Sequence, residues 1–280
     1  MLGTRILTAA VLIPLTLAAL FLLPPRAFAI VLLVVVMAAA HEWSRLATFM
    51  RGRTMLFVGG VAALGAGLLF GPAGFDRGWP PSVVVAVCGL ATLFWLALAT
   101  PWVVHRWTTP APAVMMLVGW IVLVGAWVAL VELQSRSPWL VLAAMAIVWI
   151  ADTAAYFTGR ALGRRKLAPQ VSPGKTWEGV YGALAAVAIY ASALIPLAGA
   201  AGFRGAVDAV AMALWIALVV ALAALSVVGD LFESLLKRHA GLKDSGKLLP
   251  GHGGVLDRTD ALLAAMPPAA LAATFFLARA

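Results

Sequence analysis

Charged residues and glycines crowd into one segment of an otherwise apolar chain, "SLLKRHAGLKDSGKLLPGHGGVLDRTD", residues 234–260. Asp257 and Asp260 stand three residues apart near its end. The apolar run before it ends in "SVVGDLFESLLKR", where helical spacing places four polar residues on one face: Asp230, Glu233, Ser234 and Lys237. The segment therefore joins two pairs of carboxylates, one at each of its ends.

Clustered carboxylates repel one another, and removing them from water costs energy, so something has to neutralise them. The segment's own basic residues are one solution: Lys237, Arg238, Lys243, Lys247 and Arg258. A divalent cation is the other, because Mg²⁺ takes oxygen ligands and is typically held by one or two carboxylates together with substrate phosphates. The basic residues would then bind those phosphates. The sequence leaves both solutions open.

The glycine-rich stretch "GHGG", residues 251–254, suits an anion. Glycines adopt dihedral angles that other residues avoid, and they allow backbone N–H groups to approach an anion closely. We therefore expect Gly253 and Gly254 to contact substrate. For His252 two roles stay open: a phosphate donor or general acid/base, or a structural hydrogen bond.

A second charged loop, "GRALGRRKLAPQVSPGKTWEG", spans residues 159–179. Its "GKT" suggests a nucleotide-binding Walker A motif, but Pro169 stands where that motif needs its first glycine. We interpret the stretch as a phosphate-binding loop that uses Ser172, Lys175 and Thr176, with Glu178 beginning the next apolar run. At least two of the loop's remaining basic residues are interpreted as anchors to anionic lipid: Arg160, Arg164, Arg165 and Lys166.

Asp152 precedes this second loop and follows a long apolar run, "WLVLAAMAIVWIA". An intramembrane carboxylate is a functional-site hypothesis by default, so we include Asp152 among the substrate-binding residues. "HEW" ends another apolar run with His41 and Glu42. No second histidine follows at metal-ligand spacing, so we do not interpret these two residues as a zinc site.

The elements that position these residues are membrane spans. Apolar residues make up 64% of the chain and charged residues 11%, whereas soluble domains are about half apolar and a quarter charged. A span needs about 20 mostly apolar residues. No strand-like alternation competes, so we predict an all-α polytopic membrane protein with about nine spans: 6–23, 27–44, 55–70, 83–100, 113–131, 138–158, 179–201, 208–230 and 261–278.

These spans form one membrane domain, residues 1–280, in which 1–135 supply N-terminal spans and 136–280 carry the motifs. The first span has an alternative as a signal peptide, because Arg5 precedes it and a small-x-small "AFA" follows it. Its long apolar run favours retention in the membrane.

The distribution of lysine and arginine sets the topology. The N-terminus and the loops after spans two, four, six and eight carry 15 of the 20 basic residues. The positive-inside rule therefore predicts a cytoplasmic N-terminus, both charged loops in the cytoplasm and an outside C-terminus. The same rule explains the net charge of +9 without nucleic acid. On the outer side, Asp76, Glu132 and Asp208 are interpreted as solvated loop charges, each near an arginine.

At their spacings, a set of residues in the first segment resembles the signature of the phosphatidate cytidylyltransferase (CDP-diacylglycerol synthase) family: Ser234, Lys237, Arg238, Lys243, Asp244, Gly246, Pro250, His252, Gly253, Gly254, Asp257, Arg258 and Asp260. "ADTAAYFTGR" and "SPGKTWEG" are also similar to that family. The resemblance covers about the C-terminal half, and the N-terminal half matches only as a run of spans.

The resemblance implies transfer of CMP from CTP to phosphatidate in the inner membrane, with Mg²⁺ held by Asp230 and Asp257. It also implies a homodimer, with the active site on the cytoplasmic side. A second cation, monovalent or divalent, stays open. The residues expected to be catalytic are Asp230, Asp257, Lys237, Arg238, Lys243, Asp244, His252, Arg258 and Asp260. Those expected to bind substrate are Asp152, Ser172, Lys175, Thr176, Glu178, Ser234, Gly253 and Gly254.

Other functions remain open from the residues. One is another CTP-dependent membrane enzyme, such as a polyprenol kinase. The CDP-alcohol phosphotransferases are disfavoured because their DGxxAR-type run is absent. An ion-coupled transporter would use Asp152 and Asp230 as ion sites. Transporters place such charges at the membrane midplane between inverted repeats, whereas here the charges gather on one side and no repeat is visible.

Overall fold

The computed structural model describes residues 2–72, 75, 78–200 and 209–276. Within these residues, eight helices are long and apolar enough to span a membrane, and a shorter apolar helix, Ile6–Leu22, precedes them. The predicted all-α polytopic architecture is confirmed. The helices are α1 (Leu2–Leu22), α2 (Pro25–Leu46), α3 (Arg51–Phe70), α4 (Pro81–Phe94), α5 (Thr100–His105), α6 (Pro112–Arg136), α7 (Pro138–Leu162), α8 (Trp177–Ala200), α9 (Ala209–His239) and α10 (Leu256–Phe276).

Proline begins four of these helices, at Pro25, Pro81, Pro112 and Pro138. Proline suits the first helical position because its fixed φ is helical and its missing N–H would lack a partner there in any case. A π-helical segment, Trp95–Ala99, continues α4 into α5, so that these elements form one span.

The helices that carry the candidate site extend beyond the predicted spans. α9 continues to His239 rather than ending at 230, and α10 begins at Leu256 rather than at 261. Hydropathy places the end of a span at its first charge. α9 continues past its first charge because basic residues are favourable in the last turn of a helix, and because ion pairs between residues four apart also stabilise it.

A short antiparallel hairpin interrupts the helical pattern. Its strands are β1 (Lys166–Ala168) and β2 (Ser172–Thr176), with Lys166 opposite Thr176 and Ala168 opposite Ser172. The sequence pattern predicted only a loop over these residues. Strands of three and five residues are too short for alternation to show in the sequence.

α6 occupies the centre of the bundle and is largely buried. Two indole N–H groups form hydrogen bonds between α6 and α2: Trp127 Nε1 donates to Ala29 O at 2.9 Å, and Trp43 Nε1 donates to Met115 O at 3.1 Å. α10 packs against α4, α6 and α9. The spans of residues 1–135 therefore support the helices that carry the motifs.

The start of α1 and the loops after α2, α5, α7 and α9 meet at one end of the molecule, as the predicted topology requires. The contacts are Thr8 Oγ1 to Pro250 O at 2.9 Å, Arg45 Nη1 to Ser245 O at 3.0 Å, Thr109 Oγ1 to His239 Nδ1 at 3.1 Å and Arg238 Nε to Val171 O at 3.2 Å. Both charged loops therefore lie at the same end.

At the opposite end, one charge assignment was wrong. Glu132 is fully buried and accepts from Arg136 Nε at 2.9 Å, and Arg136 Nη1 also donates to Ala273 O at 3.1 Å. This pair joins α6 to α10 instead of facing solvent. Its proximity to the end of a span concealed the burial in the sequence. Asp76 and Asp208 lie outside the described residues.

Close packing of α9 on α10 gives a prediction for Gly229. A β-carbon there would lie 2.5 Å from Asp260 O and 2.9 Å from Ala264 Cβ, so Gly229→Ala should cost about 1–3 kcal/mol through overpacking. Gly89 on α4 has open space around it, and Gly89→Ala should be neutral or stabilise by up to about 1 kcal/mol. Thermal unfolding in detergent compares the two variants. Equal midpoints would contradict the close contact.

Candidate active site

α9 presents one polar face and one aromatic face at its C-terminal end. On the polar face, Ser234 Oγ donates to Asp230 Oδ1 at 3.3 Å, and Lys237 Nζ contacts Glu233 Oε2 at 2.8 Å. On the other face, buried Phe232 meets aromatic rings at centroid distances of 5.4–5.8 Å: Trp102, Trp95 and Phe94. These rings fix the rotation of α9, and the predicted polar face is confirmed.

Lys237 joins α9 to the first turn of α10. Its Nζ lies 2.8 Å from Glu233 Oε2 and 2.8 Å from Asp257 Oδ1. The side chains of Lys237, Glu233 and Asp257 are only 16%, 6% and 8% exposed. One ammonium group therefore bridges two buried carboxylates on neighbouring helices.

The second oxygen of Asp257 is held by the preceding loop. Oδ2 accepts from Ser245 N at 2.9 Å, Ser245 Oγ at 3.0 Å and Gly254 N at 2.8 Å. Gly253, at φ +87°, adopts a left-handed conformation that favours glycine. The amide of Gly254 therefore binds a carboxylate of the chain itself, where sequence analysis expected it to meet a substrate anion.

Asp230 binds a lysine from the other charged loop. Lys175, on β2, places Nζ 2.6 Å from Asp230 Oδ2, and the two side chains are 25% and 30% exposed. Asp152 on α7 interacts electrostatically with both groups. The hairpin thus brings Lys175, and α7 brings Asp152, to the polar face of α9, as their inclusion in one site requires.

Acidic groups outnumber lysines in this cluster. Asp260, whose Oδ1 accepts from Ala261 N at 2.8 Å, interacts with Asp230 and Glu233. Two lysines face five carboxyl groups: Asp152, Asp230, Glu233, Asp257 and Asp260. The donor atoms are all oxygen, the type that Mg²⁺ prefers.

Over the described ranges, no three or more His, Cys, Asp or Glu side chains form a ready-made metal site. An ion would therefore need ligands in addition to the carboxylates. Each oxygen of Asp230, and Oδ1 of Asp257, has a single described hydrogen-bond or ion-pair partner. Since a carboxylate oxygen has two lone pairs, these atoms fit a site completed by substrate phosphates.

The basic residues of the charged segment pair with its clustered carboxylates only in part. Of the five basic residues considered, only Lys237 forms an ion pair within the residues that the structure covers. Arg238 donates to Val171 O, and Arg258 donates to His252 O at 2.9 and 2.8 Å. Three charged residues of the loop are exposed: Lys243, Asp244 and Lys247. Their predicted contacts with substrate stay predictions.

Two residues expected to bind substrate, Thr176 and Glu178, have structural partners within the chain. Thr176 is 6% exposed, and its Oγ1 accepts from Gly179 N at 3.2 Å near the start of α8. Glu178 accepts from Arg164 N at 3.1 Å and from Arg165 N at 3.2 Å. Both side chains shape the loop around the hairpin, and direct contacts with substrate by them stay predictions. Ser172 begins β2 and is half-buried.

His252 lies in the loop with Nδ1 buried and, among the described residues, without a hydrogen-bond partner. An open cavity of about 530 Å³ lies between the end of α5, the hairpin and the end of α9. Its polar lining is mostly basic: His105, Arg106, Gln170, Arg238 and His239. A cavity with this lining suits a phosphate-bearing ligand.

Glu42 also belongs to this site, although the sequence patterns did not indicate it. This residue on α2 is 4% exposed. Its Oε1 accepts from Val255 N at 3.0 Å, and its Oε2 accepts from Leu256 N at 2.9 Å and Ser245 Oγ at 3.1 Å. The only signal in the sequence was a carboxylate at the end of an apolar run, which does not identify partners about 200 residues away.

The chain is similar to proteins of a known family over nearly its whole length. The profile of the Cytidylyltransferase family matches residues 3–276. A protein of Pseudomonas aeruginosa named phosphatidate cytidylyltransferase is 43% identical over 276 residues, which cover 95% of each chain. One of the same name from Haemophilus influenzae is 37% identical over 95% of this chain and 96% of its own. Another, from Staphylococcus epidermidis, is 44% identical over 138 residues, 49% of each chain.

The two lysines should differ in their effect on stability. Lys237→Met leaves two buried carboxylates without their cation, a change that typically costs about 3–5 kcal/mol. Lys175→Met should cost about 1 kcal/mol or less, because water reaches Asp230 and solvates it. Thermal unfolding of both purified variants measures the difference. A loss for Lys175→Met as large as that for Lys237→Met would show that burial does not separate the two ion pairs.

Proposed function

Because the chain belongs to the cytidylyltransferase family, we propose that it transfers CMP from CTP to phosphatidate, giving CDP-diacylglycerol and pyrophosphate. The names of the Pseudomonas and Haemophilus relatives, which match over nearly the whole chain, support this reaction. The observation that carries the proposal is the Lys175–Asp230 pair at 2.6 Å, since it joins the loop of residues 159–179 to the helix that leads into residues 234–260.

The proposed reaction asks little of a general base. An ionised phosphate oxygen of phosphatidate attacks the α-phosphorus of CTP, and the bond from that phosphorus to the bridging oxygen of pyrophosphate breaks. The nucleophile is already deprotonated, so the barrier lies in bringing two polyanions together and stabilising the charge that develops. Fixed cations and preorganised donors supply that stabilisation.

In our proposal, Lys175 binds phosphate, because its ion pair with Asp230 is partly exposed and a phosphate can compete for the ammonium group. Asp230 and Asp257 would hold Mg²⁺ through their remaining lone pairs, and bound Mg²⁺ would neutralise charge on the substrate phosphates. The basic cavity beside Arg238 would accept the polyphosphate chain of CTP. Lys237 would stay with its two carboxylates and keep α9 and α10 in register.

We propose that the protein lies in the inner membrane. The end of the molecule at which the start of α1 meets the four loops would face the cytoplasm, where CTP is found. Its basic residues support this orientation through the positive-inside rule. Phosphatidate would present its headgroup at the same level. We also propose a homodimer, which mass measurement of the purified protein in detergent tests.

Function and orientation are tested together in sealed vesicles that contain phosphatidate. Labelled CTP added outside inside-out vesicles should give CDP-diacylglycerol and pyrophosphate, and right-side-out vesicles should need detergent first. Activity in intact right-side-out vesicles would contradict the orientation. No CDP-diacylglycerol in detergent would contradict the function, and release of CDP with a phosphorylated lipid would identify a lipid kinase.

The proposed metal pair is tested by Asp230→Asn and Asp257→Asn. Each change removes a negative ligand at constant size, so the rate should fall on the order of 10²-fold or more, with partial rescue at high Mg²⁺. Titration of Mg²⁺, after removal of metal with EDTA, measures the effect on each purified variant. Unchanged activity and Mg²⁺ dependence in either variant would remove that carboxylate from the metal site.

A further inference from the structure

Glu42 is a buried carboxylate that the proposed reaction does not use. It lies near the end of α2, at the same end of the molecule as both charged loops. Its partners are two backbone N–H groups and one hydroxyl, at 2.9–3.1 Å. A carboxylate near the N-terminus of α10 is electrostatically favourable, because the first N–H groups of a helix have no partner within it.

The partners of Glu42 are also the neighbours of Asp257. The hydroxyl of Ser245 lies 3.1 Å from Glu42 Oε2 and 3.0 Å from Asp257 Oδ2, so its single proton lies between two carboxylates. Leu256, whose N–H binds Glu42, directly precedes Asp257 in α10. Two routes, one through the hydroxyl and one through the helix backbone, therefore connect the two acids.

The loop packs so closely around the Glu42 carboxylate that two of its positions have no room for a side chain. A β-carbon on Gly246 or on Gly254 would collide with the Glu42 carboxylate. Arg45, on the same helix, donates to Ser245 O at 3.0 Å. α2 thus holds the loop at Ser245 and α10 at its first residue.

We propose that Glu42 is a positioning residue for the reaction: it fixes the start of α10 and Ser245, and so sets the orientation of Asp257. The expected effect on the reaction rate rests on the proposed function, whereas the positioning of α10 and Ser245 does not. Glutamine cannot replace Glu42, because both carboxylate oxygens accept from backbone N–H groups and an amide has one acceptor oxygen. Its NH₂ group would face a donor.

The structural part of the proposal is tested by hydrogen exchange on Glu42→Gln without substrate. Backbone amides of residues 245–256 should exchange about tenfold faster than in the wild type, since the variant loses hydrogen bonds to a charged group. Glu132→Gln is the matched control, because it removes a buried carboxylate at the opposite end of the bundle. Equal exchange of 245–256 in Glu42→Gln and wild type would overturn the proposal.

The catalytic part is tested by steady-state kinetics. Glu42→Gln should lower kcat about tenfold to a hundredfold, the usual effect of losing a residue that orients a ligand, with KM for CTP little changed. Glu42→Asp should recover part of this loss. A variant that unfolds at a lower temperature but keeps its kcat would reduce Glu42 to a structural role.

A double-mutant cycle decides whether Glu42 acts through Asp257. In the Asp257→Asn background, Glu42→Gln should cause little further loss, whereas independent effects would multiply and overturn the proposal. A cycle with Ser245→Ala gives the same decision if Asp257→Asn has no measurable rate. If the wild type itself lacks activity with CTP and phosphatidate, the proposed function fails, and hydrogen exchange still decides whether Glu42 holds the loop.

Discussion

The ammonium group of Lys237, between Glu233 and Asp257, is the contact on which the rest of the site depends. Placing three charges at a membrane boundary carries a large desolvation cost, which short contacts and additional donors must offset. The loop supplies those donors to Asp257 through the backbone N–H groups of Ser245 and Gly254. Without the lysine, α9 and α10 would bring acidic groups together where Gly229 lets their backbones approach closely.

In the proposed mechanism, the two lysines of the cluster have different roles because their exposure differs. Lys237 is almost enclosed. If its ammonium group left Glu233 and Asp257 to bind a phosphate, two buried carboxylates would lose their cation. Lys175 is a quarter exposed and arrives on a hairpin, so its partner can be exchanged at low cost. In the proposed mechanism, burial thus separates the cation that maintains the structure from the cation that binds substrate.

Sequence patterns predicted the parts of this protein that follow from local chemistry. Hydropathy located the spans, and a spacing of three and four residues gave the polar face of α9 before any contact was known. The partners of Glu42 and the burial of Glu132 could not be predicted in this way. Both depend on tertiary contacts, and the Glu42–Ser245 hydrogen bond joins residues 203 positions apart. The hairpin was missed because its strands are too short for a periodic signal.

A reaction without a strong general base depends mainly on geometry, and helix ends provide rigid geometry at a membrane surface. Asp230 and Asp257 belong to helices rather than to the loop between them, so packing in the bundle determines their positions. The loop is then fixed from both sides, by the start of α10 and by α2. An N-terminal span thereby contributes a carboxylate to the support of a C-terminal site. This explains physically why a bundle of spans is needed around a site that only a few charged residues form.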